Sequence, residues 1–344
     1  RFGITRRFPL GPILAITPFN FPLNLVAHKV APAIAAGNSI FLKPAPQTPL
    51  TSLLLAEVFS KTELPAGALN VIPCDVDDIQ KAIADDRFKM LTFTGSGKVG
   101  WSLKEKAGKK KVVLELGGNA GVMIHHDADL DYAAARCVTG GFSYSGQSCI
   151  SVQRIYVHEK VFEPFLSKLV DRVKALRTGD PQLETTQVGP LINQAALDRV
   201  SAWVKEAVTG GARCLTGGGV QGTIFEPTVL TGTKPSMAVS CEEVFAPLVT
   251  VEPYSDPALA ISEINRSSYG LQAGLFTRNI EYIFEAFREL EVGGILVNDV
   301  PTFRMDHMPY GGVKDSGLGR EGIKYAIEEM TELKLLAFNF PPKG

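Results

Sequence analysis

The chain has 344 residues, 45% hydrophobic and 21% charged, with a net charge of −1; this is ordinary globular composition at a length sufficient for two cores. Such a charge balance gives no reason to expect nucleic acid or a membrane surface as partner, no apolar run approaches a membrane span, and no signal-peptide pattern opens the sequence. Five cysteines lie scattered at 74, 137, 149, 214 and 241 without a CxxC spacing, which argues against a disulfide scaffold or a metal site and for a reducing, cytoplasmic compartment.

Residues 1–9 carry alternating apolar positions and predict a strand. A second apolar run, 10–17, ends in Pro18-Phe19-Asn20-Phe21-Pro22, where two prolines stiffen a turn. Residues 23–36 read as a helix closed by Gly37-Asn38. A short buried strand at 39–43, a loop at 44–49 and an amphipathic helix at 50–61 follow. Then come a strand at 68–73, a helix at 76–85, a strand at 90–94 and a helix at 101–107. This steady alternation predicts parallel βαβ units in a doubly wound α/β sheet. Further on, helices are expected at 129–140, 161–176, 190–209, 257–265 and 281–290. Strands are expected at 151–157, 225–230, 248–253, 273–276, 294–298 and 331–340, with a flexible loop at 217–219. There is no internal repeat.

Three stretches carry chemistry. The first is Gly95-Ser96-Gly97-Lys98-Val99-Gly100, a G-x-G-x-x-G after a strand and before a helix. It is either a phosphate cradle at a helix N-terminus or a glycine-rich turn. The second is Glu115 in Val112-Val113-Leu114-Glu115-Leu116-Gly117-Gly118. Its distance from Gly95 suits a ribose-binding acid, while a carboxylate at an apolar strand end also suits a general base. The third is Cys149, in a run of small and polar residues from Gly140 to Ser151. A lone cysteine is a small buried hydrophobe or, with its pKa lowered, a nucleophile.

Taken with Thr17-Pro18-Phe19-Asn20-Phe21-Pro22, Leu42-Lys43-Pro44-Ala45, Phe93-Thr94-Gly95-Ser96, Gly146-Gln147-Ser148-Cys149, Glu243-Val244-Phe245-Ala246-Pro247 and residues 309–317, these stretches resemble the aldehyde dehydrogenase superfamily. The resemblance spans essentially the whole chain in order. With Arg304-Met305-Asp306-His307 before the last block, it looks most like the lactaldehyde, non-phosphorylating glyceraldehyde-3-phosphate and phosphonoacetaldehyde branch. Family members carry a further N-terminal segment before the position of Arg1, so the resemblance implies a fragment or processed chain.

The resemblance implies two doubly wound domains with open, mostly parallel sheets, plus a β arm for oligomerisation. Residues 1–9 and 331–344 would form the arm, 10–117 the NAD(P)-binding domain and 118–330 the catalytic domain. Cys149 would attack the aldehyde carbon, Asn20 and the Cys149 N–H would stabilise the oxyanion, and Glu115 would activate water to release the acid. Lys43 would meet the adenine ribose and Ser96 a phosphate. Glu243 and Phe245 would meet the nicotinamide ribose and ring, with Leu116 and Gly117 beside it. Thr17, Pro18, Phe19, Ala45, Pro46, Gly67, Gly95 and Val99 would complete the NAD or NADP site. Ser148 and Arg304 would face a small, polar aldehyde such as lactaldehyde. A homodimer or homotetramer is expected, and no metal.

Three other functions compete. A CoA-acylating dehydrogenase would generally lack a carboxylate at the position of Glu115. A cysteine-dependent ester hydrolase would need a histidine by the sulfur, and His28, His125, His126, His158 and His307 form no pattern that names one. A silent structural protein would have no need of Cys149, Glu115 and Asn20 together.

Overall fold

Ile13, Leu14, Ala15 and Ile16 are all buried, and they alternate between two cores. Ile13 and Ala15 join Val26, Val30 and Ile40, whereas Leu14 and Ile16 join Ile83, Leu91 and Phe93. A parallel strand covered on both faces must be apolar at every position, so it reads as an unbroken run. This computed structural model describes residues 1–340; the expected arm residues 341–344 lie outside them.

In chain order the elements begin β1 (Phe2–Pro9), β2 (Ile13–Ile16), α1 (Asn24–Ala35), β3 (Ile40–Lys43), α2 (Pro49–Ser60) and β4 (Leu69–Val71). Next are α3 (Val76–Ala84), β5 (Met90–Thr94), α4 (Gly97–Lys106), β6 (Lys111–Glu115), β7 (Ala120–Ile124), α5 (Leu130–Phe142) and β8 (Val152–His158). They continue with α6 (Phe162–Lys174), α7 (Gln194–Thr209), β9 (Arg213–Thr216), β10 (Val220–Gln221), β11 (Ile224–Phe225), β12 (Thr228–Thr231), α8 (Ala238–Cys241) and β13 (Leu248–Tyr254). The remainder are α9 (Pro257–Asn265), β14 (Tyr269–Gly270), β15 (Gln272–Phe276), α10 (Ile280–Glu289), β16 (Gly294–Val297), β17 (Val313–Lys314), β18 (Gly317–Leu318), α11 (Ile323–Glu329) and β19 (Thr331–Phe338).

The chain divides into two units. The first comprises Arg1–Leu116, Met305–Gly311 and the chain from Gly317 on. Its sheet has the order β18-β6-β5-β2-β3-β4, parallel from β6 to β4 with β18 antiparallel at the edge. The chain steps outward from β2 to β3 to β4 and then returns to set β5 on the other side of β2. Separately, β1 and β19 form an antiparallel ribbon running from Phe2↔Phe338 to Pro9↔Thr331.

The second unit comprises Gly117–Arg304 and Gly312–Ser316. Its sheet has the order β16-β15-β7-β8-β13-β12-β9, and only β9 runs antiparallel to its neighbour. Val122, Ile124, Ile155 and Val157 pack against α5 and α6 on one face. Met123, Ala273 and Leu275 pack against α9 and α10 on the other.

Three details differ from the sequence reading. Residues 305–311 and 317–330 return to the first unit, because Gly317 and Leu318 add a strand to β6 and α11 packs on α1; local periodicity carries no sign of so distant a return. The strand expected at 225–230 is two strands, β11 and β12, interrupted at Pro227, which has no N–H for a ladder. Strands β7, β9, β10, β14, β17 and β18 and helices α8 and α11 had no counterpart in the predicted elements.

Candidate active site

Cys149 sits between a 3-10 turn, Ser143–Gly146, and β8. Tyr144, Ser145 and Gly146 are successive left-handed residues, with φ of 53°, 56° and 67°. For the two that are not glycine this conformation costs on the order of 1 kcal/mol each. A methyl on Gly146 would fall 2.1 Å from the Ala246 carbonyl oxygen, so no larger residue fits there. The turn is fastened from outside. The Ser145 hydroxyl donates to Gly189 O at 2.9 Å and accepts the Gly189 N–H at 3.0 Å. Gln147 Oε1 accepts the Ile192 N–H at 2.9 Å. Ser148 is buried, and its hydroxyl faces the loop's own backbone, accepting the Ile150 N–H at 3.4 Å. Cys149 itself is half-buried.

Gly117 and Gly118 precede β7, Cys149 precedes β8, and Glu243 precedes β13. These residues therefore gather at the amino-terminal edge of the second unit's sheet. The Gly118 N–H donates to Glu243 Oε1 at 2.9 Å, and a methyl on Gly117 would fall 2.7 Å from Glu243 Oε2. Glu243 as a residue is only partly buried, yet its carboxyl group is enclosed by this backbone. That burial pushes its pKa up to about 7, against the opposing pull of the Gly118 N–H and the Arg199 charge. Phe245, two residues on, holds a left-handed φ of 51°. Arg304 lies half-buried in the loop after β16.

In the first unit the expected residues gather at the carboxyl ends of parallel strands. Thr17 follows β2, Lys43 ends β3, Thr94 ends β5 and Glu115 ends β6. Strand order reverses between β2 and β5, the place where open α/β sheets take ligands. The hydroxyls of Thr17 and Thr94 are buried there and have no hydrogen-bond partner among the described residues. Glu115 is buried, and a methyl on Gly311 would fall 2.9 Å from its Oε1. Pro18, Phe19 and Asn20 form the half-buried turn before α1. Lys43 is buried and donates to Pro44 O at 3.2 Å; desolvation lowers its pKa. Ala45 is buried, Pro46 exposed, and Gly67 takes a φ of +83° in an open turn. Leu116 is buried, whereas Ser96 and Val99 are exposed on the first turn of α4 and its cap.

Two glycines of G-x-G-x-x-G serve packing. A Cβ on Gly95 would fall 2.5 Å from the Phe93 ring, and one on Gly100 would fall 2.3 Å from Leu116 Cδ2. Neither has a left-handed φ. Residues that the sequence reading missed surround Glu243: Asn119, Gln153 and Arg199 each hydrogen-bond the backbone of its loop. Their one sequence signal is polarity in an apolar setting, as for Gln153 and Arg154 at the start of β8. Among the described residues no group of three or more His, Cys, Asp or Glu side chains could hold a metal, and no helix is long and apolar enough to cross a membrane.

A sequence model described as "Aldehyde dehydrogenase family" matches residues 1–336. A 3-sulfolactaldehyde dehydrogenase of Priestia aryabhattai is 48% identical over 340 residues, covering 98% of this chain and 71% of that protein. A lactaldehyde dehydrogenase of Methanococcus aeolicus is 41% identical over 341 residues, covering 98% of this chain and 73% of its own length. Among solved structures, the glyceraldehyde-3-phosphate dehydrogenase GapN of Methanocaldococcus jannaschii, complexed with NADP, superposes with a TM-score of 0.94 at 40% identity, covering 97% of this chain and 74% of that one.

Proposed function

This chain belongs to the aldehyde dehydrogenase family and is an oxidoreductase acting on aldehydes, and we propose that it oxidises a short 2-hydroxyaldehyde to the acid with NADP or NAD, through a thioester on Cys149. One observation carries the mechanism. The cysteine of the family motif follows a turn of three left-handed residues fastened at both sides, a strained arrangement of the sort that clusters at active sites.

The Cys149 thiolate attacks the aldehyde carbon and forms a C–S bond, leaving an alkoxide. The Asn20 amide and the Cys149 N–H donate to that oxygen, and each such donor contributes roughly 10²–10³ in rate. Collapse of the alkoxide expels a hydride and leaves a thioester. A bound oxidised nicotinamide would supply the acceptor for that hydride. Glu115 then removes a proton from water as its oxygen attacks the thioester, a role contributing roughly 10²–10⁴. The acid leaves and the thiolate is restored. Thr17 and Thr94, at the strand reversal with buried hydroxyls lacking a partner among the described residues, fit a nucleotide there. Glu243 and Phe245 would face the nicotinamide half, with Leu116 and Gly117 beside it.

The names of three of the relatives support the substrate class. Lactaldehyde, 3-sulfolactaldehyde and glyceraldehyde-3-phosphate all carry a hydroxyl next to the aldehyde carbon. Arg304 would meet that hydroxyl or a distal acidic group. Hydrolysis by a Cys–His pair draws no support from the second unit. His125 and His158 stand at the carboxyl end of its sheet, and a strand of seven residues, rising about 3.3 Å per residue, separates that end from the Cys149 end. The carboxylate of Glu115 favours water over CoA as acyl acceptor. The exposed β1–β19 ribbon, with Phe2, Ile4, Leu333 and Leu335 open to solvent, supports a homo-oligomer joined through it. The scattered thiols support a cytoplasmic setting.

The test mixes the protein with NADP or NAD and a panel of aldehydes and follows reduced-cofactor absorbance. Fastest turnover with a 2-hydroxyaldehyde supports the reading. No turnover with any aldehyde, or a clear preference for long aliphatic ones, contradicts it.

A further inference from the structure

Glu243 lies in a loop without regular structure, between α8 and β13, yet its carboxylate is seated against Gly117 and Gly118. Something must fix the backbone on either side. Gln153, the second residue of β8, is buried and spans the loop with both ends of its amide. Its Nε2 donates to Glu242 O at 2.7 Å and to Val239 O at 3.1 Å. Its Oε1 accepts the Val244 N–H at 3.0 Å. One side chain therefore holds the residue before Glu243 and the residue after it. Arg199 grips from α7: its guanidinium donates to Glu243 O at 3.1 Å and to Val244 O at 3.0 Å. Asn119 adds a bond to Ser240 O at 2.8 Å.

Gln153 also stands four residues after Cys149, on the strand that Cys149 leads into. We propose that Gln153 is a positioning residue that sets Glu243 for cofactor through its clamp on Glu242 and Val244, with Arg199 as the second point of the clamp. The inference rests on the reading of Glu243 as a cofactor contact given above. A buried amide satisfied at both ends has one orientation, so it transmits the position of β8 to the loop with little slack. Without it the loop retains the Arg199 and Asn119 bonds but loses three, and the Val244 N–H must find another partner.

The test uses the whole chain and two readouts. Hydrogen exchange of the protein without cofactor is compared in wild type and Gln153→Met, which keeps the length and removes the hydrogen bonds. NADP dissociation constants are then measured by calorimetry for wild type, Gln153→Met, Glu243→Ala and the double variant. The expected result is faster exchange confined to residues 239–246, and a dissociation constant raised about tenfold or more by Gln153→Met. In the Glu243→Ala background the same substitution should change it less than about threefold, because coupled residues are not additive. Arg199→Met follows the same pattern and serves if Gln153→Met does not fold. An equal loss in both backgrounds, or unchanged exchange and binding, overturns the proposal. A Glu243→Ala variant that binds NADP like wild type removes Glu243 from the cofactor site, and the proposal falls with it. Absence of aldehyde oxidation by wild type that still binds NADP would instead fault the reaction proposed above.

Discussion

A methyl group on Gly118 would lie 2.0 Å from the carbonyl oxygen of Cys149. The backbone that leads into β7 and the backbone that carries the thiol are thus in contact with no room for a side chain. Neither can move without the other. Gly118→Ala is expected to destabilise the protein by about 3 kcal/mol or more, the upper range for overpacking, and to depress activity further than stability. Denaturant unfolding with kinetics checks this; wild-type midpoint and turnover would contradict it.

The Glu243 carboxyl has a folded pKa of about 7, above the ordinary value of 4.5, because of burial. Protonation therefore favours the folded state. That stabilisation is complete below about pH 4.5 and is lost as pH rises through about 7. Glu243→Gln should match wild type at about pH 4.5 and exceed it by on the order of 2 kcal/mol at about pH 8. Unfolding curves across that range decide; a constant difference would place the titration elsewhere.

Lys29 and Glu321 are both buried, with Nζ 2.9 Å from Oε1 and 3.0 Å from Thr92 Oγ1. Glu321 exchanges backbone bonds with Tyr310, next to the Gly311 that abuts Glu115. Removing one partner leaves a buried charge, so Lys29→Met should cost about 3–5 kcal/mol. The double variant Lys29→Met with Glu321→Leu should recover most of it. A double variant as unstable as the single would show that the charge itself is not the cause.

Much of this was legible in the sequence. The βαβ alternation appeared because both-face burial leaves unbroken apolar runs such as 13–16. Cys149 and Glu115 stood out as polar chemistry in small or apolar surroundings. The return of residues 305–311 and 317–330 to the first unit was not legible, since a strand pair such as Gly317↔Glu115 leaves no periodicity. The G-x-G-x-x-G pattern left two readings open, and packing against Phe93 and Leu116 alone already requires glycine at 95 and 100. The roles of Gln153 and Arg199 were not legible, since their meaning lies in carbonyls some 45 to 90 residues away.

Cofactor choice gives a further test. A Glu at the place of Pro46 would offer a carboxylate to the ribose hydroxyls and repel a 2′-phosphate. Proline brings neither charge nor acceptor, so NADP is expected to be accepted alongside NAD. Pro46→Glu should move the ratio of kcat/KM values toward NAD by about tenfold or more. A wild type that already excludes NADP would contradict the argument.

The proposed reaction turns on a covalent acyl group on Cys149 that Glu115 helps water to remove. Its most direct test is the intact mass of Glu115→Gln after mixing with lactaldehyde and oxidised cofactor. The expected result is one reduced cofactor per chain, then arrest, with a mass gain equal to the acyl group that maps to Cys149 and is absent from the further variant carrying Cys149→Ala. An unmodified chain, with turnover that continues at the wild-type rate, would contradict it.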